Sequence, residues 1–156
     1  MKVDWKKLLI CLAIPLGVGA LSALISGGMG EYDAFVQPPL SPPGWVFPVV
    51  WTVLYLLMGY ASYRVLVSDA PKAQKQNALT WYGIQLLLNF IWSPVFFGLD
   101  QYLVAFFILL ALWVAVYITM RKFDKIDTVA ADLLLPYTLW LTFAAYLNLG
   151  VWWLNR

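Results

Sequence analysis

The chain of 156 residues has no histidine and a single cysteine, and only 12% of it is charged. The lone thiol, Cys11, excludes an internal disulfide. Without histidine and with one cysteine, a structural zinc ion has no ligand set and a haem iron lacks its usual axial imidazole. Charge is also absent over long distances. Leu8–Gly27, Trp45–Tyr63, Ala78–Leu99, Gln101–Met120 and Leu133–Asn155 contain no Asp, Glu, Lys or Arg, and each has 19 to 23 residues. No Ser–His, Cys–His or carboxylate pair for nucleophilic or acid–base chemistry can therefore lie inside them. They also lack the ionisable midplane group that proton-coupled transporters use.

These runs have the length of membrane spans. A helix rising about 1.5 Å per residue needs about 20 residues to cross about 30 Å of hydrocarbon. With 63% of residues hydrophobic, too little polar surface remains to solvate a water-soluble domain. A transmembrane β-barrel would alternate apolar and polar residues, and Val104–Trp113 does not. The expected fold is all-α: one domain, residues 1–156, forming an integral membrane bundle of five transmembrane helices.

The few charges set a direction. Lys2, Lys6 and Lys7 precede the first run, Arg64, Lys72 and Lys75 separate the second from the third, and Arg121, Lys122 and Lys125 separate the fourth from the fifth. The gap from Gly28 to Gly44 and the gap around Asp100 contain only acids. Basic segments stay cytoplasmic, so the N-terminus is expected inside and the C-terminus, with Arg156, outside. Helical spans with this lysine bias favour a bacterial cytoplasmic membrane over an outer membrane. The net charge of +2 reports this topology, not nucleic-acid binding, because the basic residues are spread over three loops. Lys6-Lys7 before an apolar run resembles a signal peptide, but the run is longer than a usual h-region and contains Pro15 and Gly17, which predicts a retained helix.

The runs differ in what they can line. Gln85, Asn89, Trp92 and Ser93 share one helical face of the third, and Trp51, Tyr55, Met58 and Gly59 repeat those offsets on the second. Pro136, Trp140, Ala144 and Asn148 step by four along the fifth, with Tyr137 beside them. Amides are costly in hydrocarbon, so these faces point inward. Two readings remain open: an aromatic ligand chamber with a few orienting amides, or tight packing in which Gln85 and Asn89 only bond between helices, for about 0.6 kcal/mol each. Trp81, Trp113, Trp152 and Trp153 lie near span ends and are expected in the interfacial belt. The fourth run is expected to be lipid-facing scaffold. Small residues at Ala13/Gly17, Gly19/Ala23 and Ala23/Gly27 give the first run a packing seam or a dimer face. The loop Gly28–Gly44 weighs toward a chamber. Pro38, Pro39, Pro42 and Pro43 stiffen it, and with Trp45, Tyr32 and Phe35 it is expected to form a lid.

Tyr32-x5-Pro38, Ser41-Pro42-Pro43-Gly44-Trp45-Val46, Val50-Trp51-x3-Tyr55-x2-Met58-Gly59-Tyr60, Gln85-x3-Asn89-x2-Trp92-x-Pro94-x-Phe96-Phe97-Gly98 and Leu135-Pro136-Tyr137-x2-Trp140-x2-Phe143-x3-Leu147-Asn148-x3-Trp152 together resemble the translocator protein family. Its members are also called tryptophan-rich sensory proteins or peripheral-type benzodiazepine receptors. The resemblance covers essentially the whole chain. It implies a five-helix membrane fold, commonly a homodimer, that binds porphyrins, sterols and benzodiazepine-type ligands. Carried over by position, it implies a porphyrin pocket with paired tryptophans Trp51 and Trp140, lined by Tyr55, Asn89, Trp92, Ala144 and Leu147. Gln85 and Tyr137 join this set from the face analysis. Two positions depart from the family pattern. Leu40 stands where the family places a lid tryptophan. Leu149 and Trp153 replace the tyrosine and basic residue of its sterol motif, a weak motif even when intact, which argues against cholesterol.

The leading expectation is a membrane receptor or carrier for porphyrin and other planar apolar ligands, with a role in tetrapyrrole regulation or stress response and no cofactor of its own. The competing expectations are a light- and oxygen-dependent porphyrin-degrading enzyme working through Trp51 and Trp140, and a passive transporter of tetrapyrroles or sterols.

Overall fold

A computed structural model describes residues 2–26 and 36–156. Among these residues the structure is helical and contains no strand. Helix α1, Trp5–Ile25, starts at Asp4, whose carboxylate accepts a hydrogen bond from the Lys7 amide at 3.1 Å and so satisfies one of the unpaired first-turn donors. Helix α2 spans Val46–Leu66 and α3 spans Lys72–Ser93. A π-helical turn, Pro94–Gly98, follows α3. Helix α4 is Tyr102–Asp124, the short α5 is Thr128–Leu133, capped by Asp127 through the Ala130 amide at 3.1 Å, and α6 is Leu135–Leu154.

Four helical segments among the described residues are long and apolar enough to cross a membrane: α1, α2, α4 and the run Thr128–Leu154 formed by α5 and α6. The third expected run, Ala78–Leu99, maps differently. Its helix begins at Lys72, so its first turns carry Lys72, Gln74, Lys75, Gln76 and Asn77, and it ends at Ser93, before the apolar run is complete. Proline is the reason for the early end. Pro94 has no amide hydrogen to give to the Phe90 carbonyl. The Ser22 hydroxyl of α1 donates to that carbonyl instead, at 2.8 Å, and a few residues on, the Ser26 and Ser93 hydroxyls lie 2.9 Å apart. A break in one helix thus becomes a tie to another. The fifth run is likewise divided at Leu134, just before Pro136.

The helices form a ring. Helix α1 packs on α2 and α3, α3 packs on α4, and α4 packs on α6. Small residues set the first of these contacts. A Cβ at Gly59 would lie 2.6 Å from the Cys11 carbonyl oxygen, so α1 and α2 meet backbone to backbone. The close approach falls at Cys11 and Leu12, before the small residues expected to form a seam, and the decisive glycine is on α2. Helices α3 and α4 form the antiparallel hairpin that the short Leu99-Asp100-Gln101 link demands. Asp100 turns the chain at φ 54°, a left-handed conformation that a short polar side chain tolerates. Helix α4 is more than scaffold: Ala105, Leu109, Leu112, Val116 and Phe123 are buried in the bundle, while its other face is exposed. Helix α2 and helix α6 make no comparable backbone contact, and α5 bridges them at one end. There the Arg64 guanidinium donates to the Asp127 carboxylate at 3.1 Å.

Candidate functional site

The polar residues of the three inward faces meet as expected, and they satisfy one another. The Tyr55 hydroxyl donates to Asn89 Oδ1 at 3.0 Å, and Asn89 Nδ2 donates to the Tyr137 hydroxyl at 2.8 Å. That hydroxyl donates to Gln85 Oε1 at 2.7 Å, and Gln85 Nε2 reaches Met58 Sδ at 3.8 Å. Gln85 and Tyr137 are each only 1% exposed. They line none of the three cavities found among the described residues and act as a buried girder joining α2, α3 and α6. A second chain fixes Trp92: its indole donates to Asn148 Oδ1 at 2.9 Å, and Asn148 Nδ2 donates to the Tyr102 carbonyl at 2.8 Å.

The aromatic groups pack around this girder. Trp51 stacks on Tyr55 with ring centroids 5.6 Å apart at 26°, and meets Tyr137 edge-on at 6.2 Å. Trp51 and Trp140 do not present parallel faces. Their rings are perpendicular, 90°, with centroids 6.4 Å apart, which is direct edge-to-face contact. A macrocycle sandwiched between two indoles would need parallel rings about 7 Å apart, so this arrangement leaves no slot for one. The cleft bounded by Trp51, Trp92, Trp140, Ala144 and Leu147 encloses only about 30 Å³, room for a water molecule or so. Phe47, Phe96 and Phe97 fill the rest.

A ligand-sized space lies on the other side of Trp51. A cavity of about 430 Å³ opens between α1, α2 and α3. Of the expected residues, Trp51, Tyr55, Asn89 and Trp92 line it. Its remaining walls are Pro48 and Thr52 of α2, Ser93 of α3, and Leu16, Gly19, Ala20, Ser22 and Ala23 of α1. Sequence reasoning missed the α1 wall because its small residues were read as a packing seam or a dimer face. The signal was present in Gly19/Ala23, which open space as well as closing it. A Cβ at Gly19 would overlap the Tyr55 ring, so this glycine lets the ring stand against α1.

The described part of the proline-rich loop, 36–45, is seated on the end of α6. The Asn155 side chain accepts from the Val36 amide at 3.0 Å and donates to the Val36 carbonyl at 2.8 Å. The Tyr146 hydroxyl donates to the Pro39 carbonyl at 2.6 Å. Pro38 is buried against Gly150, where a Cβ would lie 2.6 Å from the proline ring. Leu40 is 84% exposed and takes φ 71°, and Trp45 points outward at 69% exposure. None of 36–45 lines the 430 Å³ cavity. Tyr32 and Phe35 lie outside the described residues. Trp81, Trp113, Trp152 and Trp153 line neither the cavity nor the aromatic cleft.

Known proteins match the chain over nearly its whole length. The profile of the TspO/MBR family covers residues 11–154. The tryptophan-rich sensory protein of Cereibacter sphaeroides is 37% identical over 155 residues, spanning 99% of this chain and 95% of that protein. The tryptophan-rich protein TspO of Chlorobaculum tepidum is 35% identical over 95% of both chains. The human translocator protein is 38% identical over 90% of this chain and 85% of its own length. With several apolar helices packed as a bundle and this match along the chain, the protein is a multi-pass membrane protein that belongs to the TspO/MBR family.

Proposed function

We propose that this protein is a receptor or carrier for planar, largely apolar small molecules of the tetrapyrrole class, held in the cavity between α1, α2 and α3. One observation carries the reading: the cavity of about 430 Å³ is walled by Trp51, Trp92 and Tyr55 and edged by the Asn89, Ser22 and Ser93 polar groups. That volume falls in the range of about 300–1,000 Å³ typical of small-molecule sites, as do apolar walls with few polar groups. An indole face inside it favours a flat π-system, with aromatic pairs adding about 0.5–1.5 kcal/mol beyond burial. The family resemblance supplies the ligand class, and metal-free porphyrin suits a chain without histidine.

The bundle crosses the membrane five times in this reading. Helix α3 packs between two apolar helices, α1 and α4, and its apolar character continues through the π-helical turn to Leu99. The charge bias puts the N-terminus in the cytoplasm and Arg156 outside, in the cytoplasmic membrane of a bacterium.

Titration of the purified protein with protoporphyrin IX in darkness tests the site. Tryptophan fluorescence should be quenched saturably, and Trp51→Phe should weaken binding while Trp113→Phe should not. Equal losses from both variants would show partition into detergent and defeat the assignment.

A further inference from the structure

We propose that the seam between α2 and α6 is a lateral port through which an apolar ligand dissolved in the bilayer reaches the aromatic interior, with Trp140 as its shutter. Of the neighbouring helix pairs around the ring, α2 and α6 alone lack substantial backbone contact, and α5 bridges them only at one end. There a groove of about 530 Å³ runs beside Val49, Val53 and Leu57 on one wall and Leu139, Trp140 and Phe143 on the other. Its lining is entirely apolar, and from Val49 to Leu57 it extends about 12 Å along the helix axis. Val49, Val53 and Leu139 are exposed, and on spanning helices they face hydrocarbon. The groove therefore draws its occupant from the lipid phase.

Trp140 is the one tryptophan that lines both this groove and the inner cleft, and Trp51 lines both that cleft and the 430 Å³ cavity. A single indole, Trp140, thus stands between groove and cleft, and the indoles of Trp51 and Trp92 stand between cleft and cavity. What distinguishes Trp140 is its anchorage. Trp92 is held by Asn148 and Trp113 donates to Thr142 at 3.0 Å, whereas the Trp140 indole nitrogen is enclosed with no hydrogen-bond partner. A rotation of Trp140 therefore breaks no hydrogen bond, whereas turning Trp92 or Trp113 would cost the one its indole donates. Its ring contacts, Trp51, Phe47 and Phe143, are edge or tilted contacts that allow it to move. A flat apolar molecule lodged in the groove would replace those contacts as Trp140 turns.

This port rests on the binding reading above, and kinetics separate the two. The protein in phosphatidylcholine nanodiscs is mixed with protoporphyrin IX and tryptophan quenching is followed in time. Filling the groove with Val53→Trp, or with the milder Val53→Phe, should slow association and dissociation together by about fivefold or more at unchanged Kd. Trp140→Ala should speed both. Unchanged rates in the filled variants would overturn the port while leaving the site intact, whereas failure of the wild type to bind would defeat the site. A second measurement needs no ligand. In nanodiscs of phosphatidylcholine brominated at mid-chain, the bromine-dependent loss of fluorescence should fall in Trp140→Phe, and Val53→Phe should reproduce part of that fall. Bromine quenching that is the same in wild type and Trp140→Phe would show Trp140 sealed from lipid, and would overturn the port.

Discussion

Trp51 stands between two regions built from similar aromatic residues with opposite outcomes. On its α6 side, Phe47, Phe96, Phe97 and Trp140 close the interior to about 30 Å³, and the Asn89 and Gln85 amides are both engaged by the Tyr137 hydroxyl. On its α1 side, the facing helix offers Gly19, Ala20 and Ala23, and about 430 Å³ remains. The difference lies in the facing side chains, not in the aromatics. Large rings interlock with large rings, as close-packed interiors require, while a helix held close elsewhere by Gly59 leaves space where its own residues are small. An aromatic set marks a pocket only when the opposite wall lacks the volume to fill it.

The comparison can be broken from either side. The largest effect is expected from Gly59→Val, which drives a side chain into the α1 backbone and should cost about 1–3 kcal/mol or more. Thermal unfolding in detergent would show it, with Gly17→Ala as the contrast. Nothing lies within 4 Å of a Cβ at Gly17, so that change should be neutral or stabilise by up to about 1 kcal/mol.

Swapping the two regions should separate stability from binding. Ala20→Phe places a ring in the open cavity and should weaken protoporphyrin binding about tenfold or more with little change in unfolding temperature. Ala144→Leu overfills the packed side and should lower stability by about 1–3 kcal/mol. Paired unfolding and quenching titrations measure both quantities in each variant. Equal loss of binding and stability in both would dissolve the distinction between the regions.

The girder should come next in size. Tyr137→Phe removes the donor to Gln85 and the acceptor for Asn89 Nδ2. The expected loss is about 1–2 kcal/mol, because two buried polar groups lose a partner. Asn155→Ala should be the smallest, about 0.5–1 kcal/mol. Its effect should appear as faster amide hydrogen exchange near Val36 rather than as global unfolding.

Much of this was legible in the residues. Uncharged runs of fixed length announced the helices, and offsets of four and seven put Gln85, Asn89 and Trp92 on one face with Tyr55 and Tyr137 opposite. The residues that meet in the girder were therefore identifiable. Their role was not, because periodicity says which way a side chain points and nothing about what it meets. Trp51 and Trp140 show the same limit. Both point inward, yet their rings meet at 90° and bound only the cleft of about 30 Å³, while the larger cavity lies beyond Trp51. The ends of α3 show another: the charge-free window ran on to Leu99, while Pro94 had already ended the regular hydrogen-bond ladder.

Local chemistry alone determined the all-helical membrane character and the inward amides. Each of these depends on the cost of placing a charge or an unpaired peptide group in hydrocarbon, and that cost is fixed by residue type. Only the tertiary structure decided where space remains. A cavity is the difference between helix separation and the volumes of side chains on two or three helices far apart in sequence. Here that difference is set where Gly59 brings α1 against α2, where Ser22 ties α1 to the carbonyl freed by Pro94, and where α2 and α6 stand apart.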